Sequence, residues 1–325
     1  MRRKEGFMRQ RIYRVFSDGT ADERRKHAVE SVAQAVFATC AFCSIFAVAA
    51  IMFYMATNGL PAVFRLGIRD ILFHVEWKPT ADVPSFGILY IVLTSVVGTT
   101  AAIVIAVPVA LLTAVFIAEI APERPAAVVR GAVELLAGIP SVIYGLLGLM
   151  ILNPFMYRIE QKLFRGSVSH RFTGGANLLT AVLVLAVMIL PTVIHISEAA
   201  IRAVPMQLKA SSLALGASQV QTICKVTLPA ARSGIVTAVV LGVGRAMGEA
   251  MAVGLVSGGS VNLPLPFCSV RFLTTAIVSE MGYAGGLHRQ VLFTIGLVLF
   301  AFIVAVNVIL NGIFAKGDRE GTGKP

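Results

Sequence analysis

Six apolar stretches of membrane-crossing length constrain this chain more than any other feature: Val32–Met55, Ile88–Ile117, Val128–Leu152, Leu178–Ile196, Ile235–Val256 and Leu292–Leu310. About 20 predominantly apolar residues are enough to cross the hydrocarbon core of a bilayer. In that medium every backbone amide has to find its partner within the segment, so each stretch is expected to be a helix. Of the 325 residues, 57% are hydrophobic and only 14% are charged. No segment is long enough for a separate water-soluble domain. The expected fold is an all-α integral membrane protein of six transmembrane helices. Residues 1–31 form a basic lead, residues 32–315 the membrane domain and residues 316–325 a polar tail expected to be disordered.

The net charge of +11 is not a nucleic-acid signature, because the basic residues follow the membrane topology. Arg2, Arg3, Lys4, Arg9, Arg11, Arg14, Arg24, Arg25 and Lys26 all precede the first span, and positive residues stay on the cytoplasmic side. Six spans then return the C-terminus to the cytoplasm. In this topology the cytoplasmic segments hold roughly twice the Lys and Arg of the outer ones. The outer loop between the third and fourth spans departs from the rule with Arg158, Lys162, Arg165 and Arg171. Those residues either bind an anionic partner or are merely tolerated. The first span is read as a retained anchor, since its apolar run is too long for a signal peptide and no A-x-A-like site follows. Trp77 is placed at the headgroup level.

The cysteines point to no redox or metal chemistry. Cys40 and Cys43 stand at i, i+3 in an apolar helix without His or carboxylate neighbours, as packing residues do. Cys224 and Cys268 fall on opposite sides of the membrane and are not expected to pair. No metal ligand set is found.

Prolines interrupt several spans, at Pro108, Pro140 and Pro191. Each removes one backbone bond and frees a carbonyl about one turn earlier. Such breaks are tolerated at membrane depth where they are buried in protein or line a watery cavity. Gly138-Ile139-Pro140-Ser141, with Tyr144 and Gly145, is the best case, with a packing kink as the plainer alternative. In the fifth span Gly244 and Gly248, then Gly254 and Gly258, stand at the small-xxx-small spacing that lets helices approach closely. That span also carries Arg245 and Glu249, and a charge there costs too much to be idle. At i, i+4 the two are expected on one face of a helix.

Between the fourth and fifth spans lies an amphipathic segment, 198–229. Pro205 suits a helix start, and Met206 to Leu215 reads as a short helix. Gly216 supplies a left-handed turn. Ser218 then caps a second helix with Gln221 at the capping-box position, and Pro229 stops it. Val220, Ile223 and Cys224 are expected on one face. Two short helices meeting at a glycine can seat in a partner's groove or lie on the membrane surface.

This segment carries a specific resemblance. Gly216, Val226, Leu228 and Pro229 match the spacing of the EAA-x3-G-x9-I-x-L-P motif of ABC importer permeases, with Ala217 beside the glycine. The EAA position itself reads Ala210-Ser211-Ser212, so the glutamate is missing. Glu198-Ala199-Ala200 spells the letters but stands too far upstream. Ala203-Val204-Pro205, Gly138-Ile139-Pro140-Ser141-Val142-Ile143-Tyr144-Gly145-Leu146 and Met188-Ile189-Leu190-Pro191 resemble phosphate-importer permeases. The run Gly244-Arg245-Ala246-Met247-Gly248-Glu249-Ala250-Met251 is more similar to the PstC-type subunit than to its PstA-type partner.

The resemblance implies a type I ABC importer permease of the MetI-like bundle, in the inner membrane of a bacterium. It implies a PstA-type second permease, PstB-type ATPase subunits that use ATP and Mg, and a PstS-type extracytoplasmic protein delivering inorganic phosphate. This chain is then a transport subunit rather than an enzyme. Gly321-Thr322-Gly323-Lys324 is no P-loop, since Asp318 and Pro325 stand where glycine and Ser or Thr are required. In this reading Arg245, Glu249, Pro140 and Ser141 line the path, and Ala210, Ser211, Ser212, Gly216, Ala217, Val226, Leu228 and Pro229 couple to the ATPase. Arginine offers a planar donor fork suited to phosphate oxygens; a structural ion pair with Glu249 is the competing account. Glu134 and His195 are lesser candidates, a snorkelling acid and a hydrogen-bonded packing residue. A permease for sulfate or molybdate, the PstA-type position, and a scaffold or phosphate-sensing subunit without transport are the alternatives.

Overall fold

The computed structural model describes residues 2–167 and 170–321, with side chains from 29 to 309 within those bounds. The described chain is helical apart from one short hairpin and its loops. It divides into two units, one ending at Thr57 and one beginning at Asn58. The first is helix throughout, the greater part of α1 (Arg2–Leu66). Its apolar side chains are open to the surroundings, Phe37 and Phe53 among them, which is the surface a lipid-facing helix needs. The helix begins in the basic lead, well before Val32. Cys40 and Cys43 are exposed free thiols on it.

The second unit contains α2 (Ile68–Phe73), a hairpin of β1 (Trp77–Lys78) and β2 (Ser85–Phe86), and α3 (Leu89–Val115). Then come α4 (Glu123–Gly138), α5 (Ser141–Leu147), α6 (Asn153–Leu163), α7 (Leu178–Arg202) and α8 (Met206–Ala214). The rest are α9 (Gln219–Thr222), α10 (Leu228–Ala230), α11 (Arg232–Gly248), α12 (Met251–Val256), α13 (Leu273–Glu280) and α14 (Gly286–Gly321). Wide π turns follow α3, α5 and α9. Among the described residues five helices are long and apolar enough to cross a membrane, and a sixth if the bent pair Gln219–Ala230 and Arg232–Gly248 counts as one span.

Three expected bounds change. The third span runs over Ser141–Leu163, because the chain breaks before Pro140 and sets α4 apart. The fifth is two helices, α11 and α12, not one run from Ile235 to Val256. The last helix continues past Ala315 to Gly321, so the part of the polar tail up to there is helical; 322–325 lie outside the described residues, and with them most of the sequence that mimics a P-loop.

Helix α7 is the axis of this unit, with α3 and α11 packed along it. Helix α3 offers Ala102, Ala106, Ala110 and Ala114, all buried and one turn apart. A stripe of methyl groups lets two backbones come close, which in lipid is the main source of helix association. Gly242 does the same for α11, where an added Cβ would stand 2.8 Å from Val193 and 2.9 Å from Ile189.

Two buried carboxylates organise the loops between spans. Glu280 accepts from the Trp77 indole N–H at 3.0 Å and from Arg271, and pairs with His288 at 2.7 Å. Trp77, half-buried, is thereby tied to Glu280. Glu160 pairs with His170 at 2.8 Å and accepts from the Thr173 amide at 3.0 Å, while Phe164 stacks on His170. Each carboxylate is fully hydrogen-bonded, which is what makes its burial tolerable. Nearby, burial pushes the Cys268 thiol up, with the Glu160 charge adding to it, so the reactive thiolate is suppressed.

Candidate functional site: two broken helices and a coupling loop

Two breaks stand near each other in the membrane domain. At the first, α4 ends at Gly138, Ile139 is extended, and Pro140 precedes α5. An unbroken helix would send an N–H from position 140 to the Leu136 carbonyl, and proline has none. The Tyr144 hydroxyl donates to that carbonyl instead, at 2.6 Å, with the Ile139 amide at 3.2 Å. The proline is therefore a true break with its lost bond replaced.

The second break falls at Glu249-Ala250, where no proline stands. Helix α11 ends at Gly248 and Glu249 turns extended, with ψ 125°. The Glu249 carboxylate accepts from the Ala252 amide at 2.9 Å, as an N-terminal cap of α12 does. Its own carbonyl accepts from the Thr274 hydroxyl at 2.6 Å. Arg245 and Glu249 consequently do not share one helix face. Their i, i+4 spacing spans a helix end, and the carboxylate is engaged by backbone rather than by the arginine.

Helices α5 and α12, the segments after the two breaks, pack against each other. A Cβ on Gly145 would come within 2.7 Å of the Ala252 Cα, so the glycine sets their separation. Pro140 and Ser141, at the start of α5, and Glu249, ahead of α12, thus stand at the starts of two packed helices, with Arg245 in the last turn of α11 before the second break. Arg245 is exposed and makes no ion pair among the described residues. Helices α3, α5 and α7 border an apolar cavity of about 540 Å³ that includes Tyr144, Ile139 and Leu190.

The coupling segment forms a separate group. Helix α8 starts after Pro205 and Gly216 takes φ 86°, the left-handed turn expected of it. The Ser218–Gln221 capping box is complete, at 3.3 and 2.9 Å. Ala210, Ser211 and Gly216 are exposed, while Ser212 bonds Thr222 across the turn at 2.9 Å. Ala217 and Val226 are half-buried, and Leu228 packs on Ala114, Ile201 and Val204. Two expectations are corrected. Pro229 does not stop the helix: after the π turn Ile223–Thr227 it sits in the first turn of α10, where a missing N–H costs nothing, and the chain bends by 69° only after Ala230. Val220, Ile223 and Cys224 do not share an environment, since Ile223 is buried and the other two are exposed. Met206, Leu213, Leu215 and Val220 leave an apolar face open, Leu215 at 90% exposure.

An ionic collar joins this loop to the spans. Glu198 is buried and accepts from Arg130 at 2.6 Å and Arg202 at 2.8 Å. Arg202 donates on to the Ile117 carbonyl at 3.1 Å. The residue that only spelled the family motif is a structural tie among α3, α4 and α7. Lys209 pairs with Glu119. The sequence set Tyr144 beside the Pro140 break without a role for it, and assigned none to Glu119, Lys209 or Thr274. Only Tyr144 left a signal, four residues after a proline. Glu134 is exposed, and His195 is half-buried without a hydrogen-bond partner among the described residues.

A bundle with broken spans and an exposed helix–glycine–helix loop is the architecture of an ABC importer permease. The chain belongs to the family described as binding-protein-dependent transport system inner membrane component, whose model matches residues 106–319. It is a multi-pass inner-membrane protein, a non-enzymatic transport subunit that works with ATPase subunits and a binding protein. The probable ABC transporter permease protein YqgH of Bacillus subtilis is 37% identical over 303 residues, covering 90% of this chain and 95% of that protein. The phosphate transport system permease protein PstC of Pasteurella multocida is 35% identical over 261 residues, covering 77% and 81%. Among solved structures, a bacterial ABC transporter involved in the import of the acidic polysaccharide alginate aligns with TM-score 0.52 at 15% identity, over 70% of this chain and 79% of that one. That likeness bears on the fold alone.

Proposed function

We propose that this chain is the PstC-type permease subunit of an ATP-driven inorganic phosphate importer. It forms one half of the translocation path with a PstA-type subunit. PstB-type ATPases dock on the α8–α9 loop and use ATP and Mg, and a PstS-type protein delivers phosphate from outside. The N-terminus and the C-terminus face the cytoplasm. The observation that carries this reading is Arg245, an exposed arginine without an ion pair among the described residues, one turn before the broken helix at Glu249. A planar guanidinium matches phosphate oxygens two at a time. Its charge costs too much in a membrane domain unless an anion or water meets it. Glu249 is occupied as a helix cap, so it leaves Arg245 available to an anion. The name of the Pasteurella relative supports the choice of phosphate.

The test is uptake of labelled phosphate at low micromolar concentration, in cells lacking and then regaining the chain. Uptake that returns with the chain, is blocked by arsenate and is untouched by excess sulfate or molybdate supports the reading. Uptake indifferent to the chain discards the importer assignment. Uptake blocked by the other oxyanions leaves the permease and discards the phosphate.

A further inference from the structure

The π turn Phe116–Ile120, at the end of α3, is held by both halves of the coupling loop. The Glu119 carboxylate takes the Lys209 ammonium from α8, 90 positions along the chain, and both side chains are largely shielded, at 13% and 14% exposure. The Glu119 carbonyl accepts from the Gln219 side-chain amide at 3.1 Å, from the first residue of α9. Two positions earlier, the Ile117 carbonyl receives Arg202, which Glu198 holds together with Arg130 of α4. One five-residue turn thus gathers α8, α9, the end of α7 and, through Glu198, α4.

The arrangement has a mechanical consequence. Alanine stands at position 210, where the family motif has glutamate, and the neighbouring Lys209 turns inward to the spans. The loop's apolar outer face, with Leu215 most exposed, is left for the ATPase. A push on that face reaches the spans along the sequence, through α11, and across space, through Glu119. The second route acts on α3, which packs along α7 and α11 and borders the apolar cavity at Tyr144. A buried ion pair is a stiff connection, because separating its charges away from water leaves each one uncompensated.

We infer that Glu119 and Lys209 are positioning residues for transport: the pair transmits movement of the coupling helices to α3, so that ATP hydrolysis and opening of the path stay in step. This rests on the importer reading above. The test uses the complete complex, with its second permease, ATPase subunits and binding protein, in liposomes, and reads ATP hydrolysed per anion imported. Glu119→Gln and Lys209→Met are each expected to raise that ratio about tenfold, a size typical of coupling between separate sites, while ATP hydrolysis is retained. The exchanged pair, Glu119→Lys with Lys209→Glu, is expected to return the ratio to within about twofold of the unaltered complex.

A ratio unchanged in both single variants overturns the inference. So does a parallel fall of hydrolysis and import at constant ratio, which marks a contact that only holds the loop together. Should the single variants fail to assemble, Glu119→Asp decides, since it keeps the charge and shortens its reach toward Lys209 by one methylene. A ratio raised about twofold supports the link, and an unchanged ratio refutes it. The ratio is read with whichever anion the unaltered complex imports. A complex that carries sulfate in place of phosphate therefore refutes the substrate and leaves Glu119 under test, whereas one that hydrolyses ATP and imports nothing overturns both.

Discussion

The two broken helices reach the same result by different chemistry. At Ile139-Pro140 the backbone cannot continue, because proline lacks the N–H that the Leu136 carbonyl requires; Tyr144 then supplies a replacement donor. At Glu249-Ala250 nothing forbids a helix. The chain leaves it because the Glu249 carboxylate gains the Ala252 amide and the Glu249 carbonyl gains the Thr274 hydroxyl. The first break is imposed by covalent structure and then repaired. The second is a balance of hydrogen bonds, with a cap on one side and the continued helix on the other. A balance of that kind can be shifted by a ligand or by movement of α13, whereas a proline cannot. Arg245 stands one turn before the adjustable break, which is where a mobile anion contact is most useful.

The largest effect on this comparison is expected from Arg245→Gln, which keeps hydrogen-bond donors and removes the charge. A hydrogen bond to a charged group is worth about 2 kcal/mol, or about 30-fold in transport. Uptake should fall by that factor while the chain still co-purifies with its partners. Loss of assembly in the same proportion would mark Arg245 as structural and end its role in the path. Next in size is Gly145→Val, which forces side-chain carbons into the space held by Ala252. Overpacking of this kind costs about 1–3 kcal/mol. The thermal unfolding midpoint in detergent should drop with it, and uptake should fall because α5 and α12 no longer meet. An unchanged midpoint would show that the two helices are free to separate.

The same contrast explains what the sequence made legible. Apolar runs announced the spans because the length needed to cross hydrocarbon is fixed. Pro140, Pro205, Gly216 and the Ser218–Gln221 box announced local structure because each acts within a few residues. The break at Glu249 was not legible, since it depends on Thr274, 25 positions away. A reading by helical spacing therefore carried the helix of Arg245 on past Gly248, where α11 ends. The role of Glu198 was not legible for a related reason: its letters stand out of place for the motif, and its burial between Arg130 and Arg202 comes only from packing of α3, α4 and α7. The third span was displaced toward the N-terminus because α4 is apolar enough to pass for the first half of a helix that starts after Pro140.

At Glu249 the comparison can be sharpened chemically. Loss of a capping oxygen costs about 1 kcal/mol, and Glu249→Ala is expected to lower uptake about fivefold as the break loses its definition. Glu249→Gln keeps an oxygen that can accept from the Ala252 amide and should restore most of that loss. If the glutamine variant is as poor as alanine, the negative charge matters beyond the cap, and Glu249 acts on Arg245 or on the anion itself.

The smallest effect, and the most discriminating, concerns the proline. Pro140→Ala restores an N–H aimed at the Leu136 carbonyl, so α4 and α5 could in principle fuse. The Ile139 turn and the packing of α5 on α12 oppose that, and the expected change in uptake is within about twofold. The informative experiment adds Tyr144→Phe. Alone, that substitution removes the hydroxyl that serves Leu136 and should cost about 1 kcal/mol of stability. In the Pro140→Ala background the new amide can serve the same carbonyl, and the cost of Tyr144→Phe should shrink by more than half. Non-additivity of that sign would establish that Tyr144 replaces the bond that proline removes. Simple additivity would mean that the hydroxyl and the missing N–H are unrelated, and that the first break, like the second, is held open by contacts formed elsewhere.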